Sequence, residues 1–345
     1  MGRAFRVFRS LDETPPDFGP SALTIGNFDG VHAAHRRILR RVREVAGERG
    51  LTPSVLTFHP HPTKVVAPAR APRLMTSPEQ RCALMRAEGI EQVLILPFDR
   101  EVAQLSPQQF VEHVLVEKLG VRAVLVGHDF RFGHKQAGNV QVLEGLGRQY
   151  GFTTEVLGAI TLRGRLVSST TLRHLIDKGR VSQAARLLER PYALEGEVVA
   201  GRGVGSRQTV PTLNLAPNTE VLPATGVYVT RTQDLEGGRA WPSITNVGYR
   251  PTFDHDGHAE GGLSIETFLL EPLAGSTPRR IRVEFLWRVR DERKFPDAHA
   301  LKSQILRDAA RAQAYFRRLN KWTNGSVVPI DSNGIMKSSP QLKEH

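Results

Sequence analysis

The chain has a single cysteine, Cys82, among 345 residues, so no intrachain disulfide can form and a reducing compartment is the expected setting. It has no apolar run near the roughly 20 residues that a membrane span requires. Residues 1–10 are interrupted by Arg3, Arg6 and Arg9, so they are not expected to act as a secretory leader. Arg6 also stands where a myristoylation motif beginning at Gly2 needs Ser or Thr. The cytoplasm is therefore the expected location, with no membrane partner. Acidic residues are in deficit, 35 against 47 Lys and Arg, for a formal charge of +12. Much of the excess lies between 279 and 318, but those arginines alternate with Glu284, Asp291, Glu292, Asp297 and Asp308, the pattern of a solvated face. With no nucleic-acid motif present, RNA or DNA is not the expected partner. The length suits two domains with substantial cores.

What is present centres on Thr24-Ile25-Gly26-Asn27-Phe28-Asp29-Gly30-Val31-His32-Ala33-Ala34-His35. Residues 22–25 read as the end of a buried strand, two glycines bracket a tight loop, and residues 36–45 alternate apolar and basic positions like a helix. His32 and His35, three apart at the helix start, fall on one face beside the unpaired N–H groups of the first turn. Such an arrangement binds phosphate, although glycine-bounded turns and surface histidines are also common in α/β domains.

Strand and helix signals then keep alternating. Residues 53–58 form a strand, followed by Phe58-His59-Pro60-His61-Pro62, whose prolines predict an extended loop and whose histidines lack a third metal ligand nearby. Ser77-Pro78-Glu79-Gln80 and Ser106-Pro107-Gln108-Gln109 open helices, and 92–98, 123–126 and 153–157 read as strands. Gly127-His128-Asp129-Phe130-Arg131-Phe132-Gly133 leaves the strand at 123–126 directly, offering a carboxylate, a cation and two aromatics that serve either a ligand or the core. Val167-Ser168-Ser169-Thr170-Thr171-Leu172-Arg173 opens a helix with hydroxyls that either cap it or donate to phosphate. The pattern predicts a parallel sheet covered on both faces. Residues 181–189 form one more helix, and a boundary is expected near Arg190.

Beyond it come short β-rich segments (196–200, 226–230, 264–270 and 281–287) between glycine and proline turns, the signature of a small antiparallel barrel. Within it, Gly201-Arg202-Gly203-Val204-Gly205 precedes Pro211-Thr212-Leu213-Asn214. Thr212 and Asn214 alternate onto one side of a strand and present neutral oxygens, suited to a magnesium ion that keeps most of its waters. Residues 298–319 carry Leu301, Ile305, Leu306, Ala309, Ala312 and Phe316 at near-helical spacing, a face for packing on the barrel. The tail 324–345 has no such pattern and is expected to be poorly ordered.

The first string resembles the G-x-F-D-G-x-H-x-G-H signature of the HxGH nucleotidyltransferases, and more narrowly the adenylyltransferase half of bifunctional riboflavin kinase/FAD synthetases. Ala34 stands where that family has glycine. The 127–133 string is similar to the family's flavin-contacting segment, which implies that Asp129, with Phe130 and Arg131, grips the isoalloxazine; downstream, Gln136 replaces a common Arg. The 167–173 string is similar to [IV]-S-S-T-x-[IL]-R. In the second half, 201–215 resembles the riboflavin kinase loop, with Ser206, Gln208, Thr209 and Val210 departing from it. Asn246-Val247-Gly248-Tyr249-Arg250-Pro251-Thr252-Phe253, Ser264-Ile265-Glu266-Thr267-Phe268 and Arg290-Asp291-Glu292-Arg293-Lys294-Phe295 resemble further kinase segments.

The resemblance, over about 15–320, implies an α/β fold: a Rossmann-like FMN adenylyltransferase domain at 1–190, then a riboflavin kinase β-barrel with a C-terminal helix at 191–322. It implies riboflavin and ATP as substrates giving FMN, then FMN and ATP giving FAD, with Mg²⁺ held by Thr212 and Asn214. The implied catalytic residues are His32, His35, Arg173 and Glu266, the last as base on the ribityl hydroxyl. The implied binding residues are Gly26, Asn27, Phe28, Asp129, Phe130, Arg131, Ser168, Ser169, Thr170, Gly201, Gly203, Asn246, Arg290 and Glu292. Alternatives are retention of only one activity, a sister nucleotidyltransferase, or a non-catalytic flavin- or RNA-binding relative. Assembly into a homo-oligomer is left open.

Overall fold

The computed structural model describes residues 4–199, 212–249, 263–273 and 275–322. The chain divides into two compact units, Met1–Ser169 and Thr170–His345.

In the first unit, β1 (Arg6–Phe8) and β2 (Ser21–Ile25) precede α1 (Ala33–Arg49). Next come β3 (Thr52–His59), a short α2 (Pro62–Val66), α3 (Pro78–Ala87) and β4 (Gln92–Pro97). Two short helices, α4 (Arg100–Gln104) and α5 (Pro107–Gln109), lead into a π-helix over Phe110–Lys118. Then follow β5 (Val121–Gly127), α6 (Val140–Tyr150), β6 (Thr153–Leu157) and a small antiparallel hairpin of β7 (Thr161–Leu162) and β8 (Arg165–Leu166). Six strands pair in parallel in the order β1-β4-β3-β2-β5-β6.

Both faces of this sheet are covered, which is why its strands read as nearly continuous apolar runs. Ala22, Val55, Val93 and Leu125 pack with Leu39, Val42 and Val45 of α1 and Met85 of α3. Leu23, Ile25, Leu56 and Val124 pack on the other face with Phe110, Val111 and Val114 and with Leu143 of α6. The chain turns at Gly120 after the π-helix: φ is +52° there, and a Cβ would lie 3.1 Å from Gly19 Cα. Strand order reverses at β2, with β3 and β4 on one side and β5 and β6 on the other. In open parallel sheets the crevice beyond the strands' carboxyl ends at such a reversal is the place for a ligand.

Ser77 and Ser106 cap their helices reciprocally with Gln80 and Gln109. One local expectation is corrected. The loop expected through Pro62 is instead the start of α2, because proline at a first helical position forfeits no hydrogen bond and the His61 ring accepts the Thr63 N–H at 3.2 Å.

In the second unit, α7 (Ser169–Asp177) and α8 (Val181–Leu188) lead into β9 (Tyr192–Val199), β10 (Thr212–Pro217), β11 (Gly226–Asp234), β12 (Ala240–Tyr249), β13 (Leu263–Leu269) and β14 (Arg280–Arg290). These strands close an antiparallel barrel in the order β10-β13-β12-β11-β14-β9, and β9 pairs with both β10 and β14. Five fully buried hydroxyls link across it: Thr232 to Ser243 at 2.8 Å, Ser243 to Thr230 at 2.9 Å, Thr230 to Thr245 at 2.7 Å and Thr245 to Thr267 at 2.9 Å. Each hydroxyl satisfies its neighbour, so their burial is tolerated.

The last helix, α9 (Ala298–Trp322), packs Ala312, Tyr315 and Phe316 against Val227, Val229, Ile244 and Phe268. Its expected apolar face needs correction at one end. Leu301 and Leu306 are 42% and 61% exposed, and the buried positions are Gln304 and Asp308. Arginines satisfy these two: Arg290 Nε donates to Asp308 at 2.8 Å, and Arg293 bonds Gln304. Among the described residues no helix is long and apolar enough to cross a membrane.

In the first unit, Glu88 is almost fully buried at the end of α3 and receives Arg36 Nε at 2.6 Å and Arg40 Nε at 2.8 Å from α1. Removing one partner of a buried pair leaves the other charge uncompensated. Glu88→Ala is therefore expected to destabilise the first unit by about 3 kcal/mol, read as a lowered denaturant midpoint of its unfolding transition.

Candidate functional site

The crevice of the first unit is built by the loop between β2 and α1. Phe28 (φ +50°) and Val31 (φ +37°) occupy backbone conformations that side chains disfavour, and both are buried. Several bonds hold the loop there. The buried Asp29 carboxylate accepts the N–H groups of Met75 at 3.0 Å and Thr76 at 3.1 Å, together with the Thr76 hydroxyl at 3.0 Å. The Gly30 N–H donates to that hydroxyl, also at 3.0 Å, and Ser169 Oγ donates to the Asp29 carbonyl at 3.1 Å. Gly26 leaves room for the Phe28 ring, which a Cβ would meet at 3.2 Å.

His32 is the N-cap of α1. Its Nδ1 accepts the His35 N–H at 3.4 Å, and the two rings stack with centroids 3.6 Å apart. Phe28 packs on His35 at 4.9 Å. The structure thus brings Gly26, Asn27, Phe28, His32 and His35 together at the helix N-terminus, a setting that favours anions. Ala34 lies within α1 and adopts ordinary helix.

Pairing of Thr24 with Leu125 sets the loop after β5 beside the loop after β2. There Asp129 and Arg131 are exposed, Phe132 is buried, and Phe130 stacks on Phe132 with centroids 5.4 Å apart. Phe132 is thus a core residue and the half-buried Phe130 packs against that core. Ser168 lies just before α7, and Thr170 and Arg173 lie on α7 in the second unit.

Arg81 escapes a sequence reading. It is 3% exposed, and its Nη1 donates to the Asn27 carbonyl at 2.7 Å and to Thr57 Oγ1 at 3.3 Å. Burial lowers its pKa, and the field of Asp29 opposes that. Loss of water around the His59 ring and then the positive charge of Arg81 hold His59 below the ordinary histidine range.

In the second unit, strand register assembles the site. Asn214 of β10 pairs with Glu266 of β13, which pairs with Asn246 of β12; Thr212, Phe268 and Ile244 form the next row on the same face. The Thr212 hydroxyl is buried without a hydrogen-bond partner among the described residues, and Asn214 is 7% exposed. Such neutral oxygens fit a hard cation. No group of three acidic, His or Cys residues among the described residues offers a protein-only metal cage.

Gly248 lies two residues beyond Asn246, and the Glu292 carboxylate fills the space its side chain would take. A Cβ there would collide with Glu292 Oε1 and lie 3.1 Å from Asn246 Nδ2. Arg290 reaches Asp308, and the Arg290 and Arg293 guanidinium groups flank the Phe295 ring at 5.7 and 5.0 Å. The sequence reading missed the roles of Gly248, Gln304 and Asp308. Polar residues at 304 and 308 in step with Ala312 were the available signal. Gly201 and Gly203, residues 206–210, Arg250-Pro251-Thr252-Phe253 and the tail 324–345 lie outside the described residues.

A parallel α/β unit with histidines at a helix N-terminus, followed by a closed barrel carrying a carboxylate beside neutral metal-type oxygens, defines a two-unit nucleotide-dependent transferase. The FAD synthetase family profile matches residues 14–171, and the riboflavin kinase profile matches residues 188–316. The bifunctional riboflavin kinase/FMN adenylyltransferase of Pseudomonas fluorescens is 36% identical over 90% of this chain and 97% of its own length. The namesake protein of Escherichia coli K12 is 33% identical over 91% of this chain and 98% of its own. A Streptococcus pneumoniae crystal structure described as a macrolide-efflux protein shares the fold, with a TM-score of 0.76, 24% identity, and coverage of 89% of this chain and 98% of that one. The chain belongs to the bifunctional riboflavin kinase/FMN adenylyltransferase family.

Gly248→Ala must push Glu292 off its face. Glu292 is exposed and its tip can swing aside, so the second unit's stability is expected to change by no more than about 0.5 kcal/mol in denaturant unfolding, with the first unit's transition unmoved.

Proposed function

We propose that the barrel unit phosphorylates riboflavin with ATP and that the α/β unit adenylylates the FMN formed, giving FAD and pyrophosphate. The alignment of Asn214, Glu266 and Asn246 in one row of the barrel wall, in a chain whose first unit stacks His32 on His35, carries this reading.

Glu266, half-buried, takes the proton of the ribityl 5′-hydroxyl as its oxygen attacks the γ-phosphorus and the bond to the β–γ bridging oxygen breaks, releasing ADP. Thr212 and Asn214 would hold Mg²⁺, which when bound offsets charge on the β- and γ-phosphates. Glu292, seated over Gly248, and Arg290, fixed by Asp308, form the wall beside Asn246.

Adenylyl transfer needs no base, because the FMN phosphate is already an anion. Its oxygen attacks the α-phosphorus, the α–β bridging bond breaks, and pyrophosphate leaves. Donors from His32, His35 and the α1 N-terminus stabilise the growing charge. Arg173 keeps its role as a phosphate-binding cation on the sequence motif alone, and Asp129 its role as a flavin contact. Residue 190 is the proposed functional boundary, supported by the riboflavin kinase match beginning at 188. Helices α7 and α8 before it fold with the barrel. A cytoplasmic setting is proposed from the lone, buried Cys82.

Chromatography of flavins formed from riboflavin, ATP and Mg²⁺ tests the reading. Wild type should show FMN and then FAD. His32→Ala should lower FAD formation by at least 100-fold and leave FMN formation within twofold, and Glu266→Gln should do the reverse with FAD still formed from supplied FMN. Loss of FMN formation in His32→Ala, or loss of FAD formation from supplied FMN in Glu266→Gln, would refute independent sites.

A further inference from the structure

We propose that Arg81 is part of the polyphosphate site of the first unit, a buried cation whose counter-charge is the triphosphate of ATP or the departing pyrophosphate. This rests on the reading of that unit as an adenylyltransferase.

Among the described residues, the other two buried guanidinium groups, and the half-buried one of Arg290, each face a carboxylate. Arg36 has Glu88 at 2.6 Å, Arg282 has Glu195 at 2.6 Å, and Arg290 has Asp308 at 2.8 Å. Arg81 is more deeply buried than any of these, at 3% exposure, and differs in its partners. Its hydrogen bonds go to neutral acceptors, the Asn27 carbonyl and the Thr57 hydroxyl, and its Nε has no partner among the described residues. Two carboxylates act on it only through their fields: Asp29 directs its oxygens to the Met75 and Thr76 donors, and Glu79 pairs with Arg9. A buried charge without an ion-pair partner is costly to fold, and an anion arriving beside it removes that cost.

Its location indicates where such an anion lies. Asn27 follows β2, and Thr57 stands near the end of the adjacent β3. The guanidinium therefore sits at the carboxyl edge of the sheet, under the loop that carries His32. In fixing the Asn27 carbonyl, Arg81 also holds the start of the segment in which Phe28 and Val31 are strained. Charge and loop shape are joined in one side chain.

The test measures forward and reverse adenylyl transfer with the full chain: KM for ATP with FMN supplied, and KM for inorganic pyrophosphate with FAD supplied. Wild type must first turn over in both directions; failure there removes the reading of the unit itself. Arg81→Gln keeps an N–H donor for Asn27 and loses the charge, whereas Arg81→Lys keeps the charge and loses the fork. The expected result is KM for pyrophosphate and for ATP raised at least tenfold in Arg81→Gln, KM for FMN and FAD within twofold, and Arg81→Lys within threefold of wild type. Unchanged pyrophosphate KM in Arg81→Gln, or equal damage in Arg81→Lys, would overturn the proposal by showing that hydrogen bonding to the loop is the whole role. If Arg81→Gln lacks the first unit's unfolding transition, Arg81→Lys decides alone: pyrophosphate KM within threefold supports the charge, and any larger rise overturns it.

Discussion

Both sites depend on strand register. A slip of one residue between β13 and its neighbours would turn Glu266 to the other face of the barrel wall and bring Thr267 out in its place. The chain of buried hydroxyls opposes that slip, because Thr245 bonds Thr267 and Thr230 inside the barrel only when Asn246 and Glu266 share the outer row. Closure adds a second constraint, since β9 is committed to both β10 and β14 and leaves no free edge along which strands could slide. In the sheet, pairing of β2 with β5 has the same consequence, setting the histidine loop and the Asp129 loop side by side.

Charge is the second organising constraint, and it is handled differently in the core and at the site. Glu88, Glu195 and Asp308 neutralise buried or half-buried arginines and tie, in turn, helix to helix, strand to strand and helix to strand. Asp29 is held by N–H and O–H donors, which turn its oxygens toward Met75 and Thr76. Arg81 is the exception in that it faces only neutral oxygens.

Much of this was legible in the sequence because it is local. The two Ser-Pro-x-Gln helix starts, the glycine-bracketed loop and the paired histidines are encoded within a few residues of one another, and the structure reproduces them. What escaped is long-range. Arg81 sits in an unremarkable helix start after Glu79 and Gln80, and only folding brings it to Asn27, 54 positions away. Asp308 was read as part of a solvated face and Gln304 lay outside the expected apolar stripe, yet they are the buried side, because arginines reach them from the end of β14 and the segment after it. Leu301 and Leu306 failed as core residues for the same reason: hydrophobicity ranks candidates for burial, but it cannot register that a polar pair is better satisfied at the contact.

The two reactions explain why one chain needs two kinds of site. An alcohol must lose a proton to attack phosphorus, so the kinase unit needs a carboxylate within reach of the substrate, and neutral oxygens must take the metal so that no further negative charge gathers around the triphosphate. A phosphate monoester brings its own charge, and the same carboxylate would then repel both substrates. The first unit accordingly offers stacked imidazoles, a helix N-terminus and a buried guanidinium, and it keeps its nearby acid occupied with donors. Moving Glu266 into that crevice would add repulsion and give no proton transfer worth having, and moving His32 and His35 into the barrel would supply donors without the base that the hydroxyl requires. The division of the chain follows from the protonation state of the attacking oxygen.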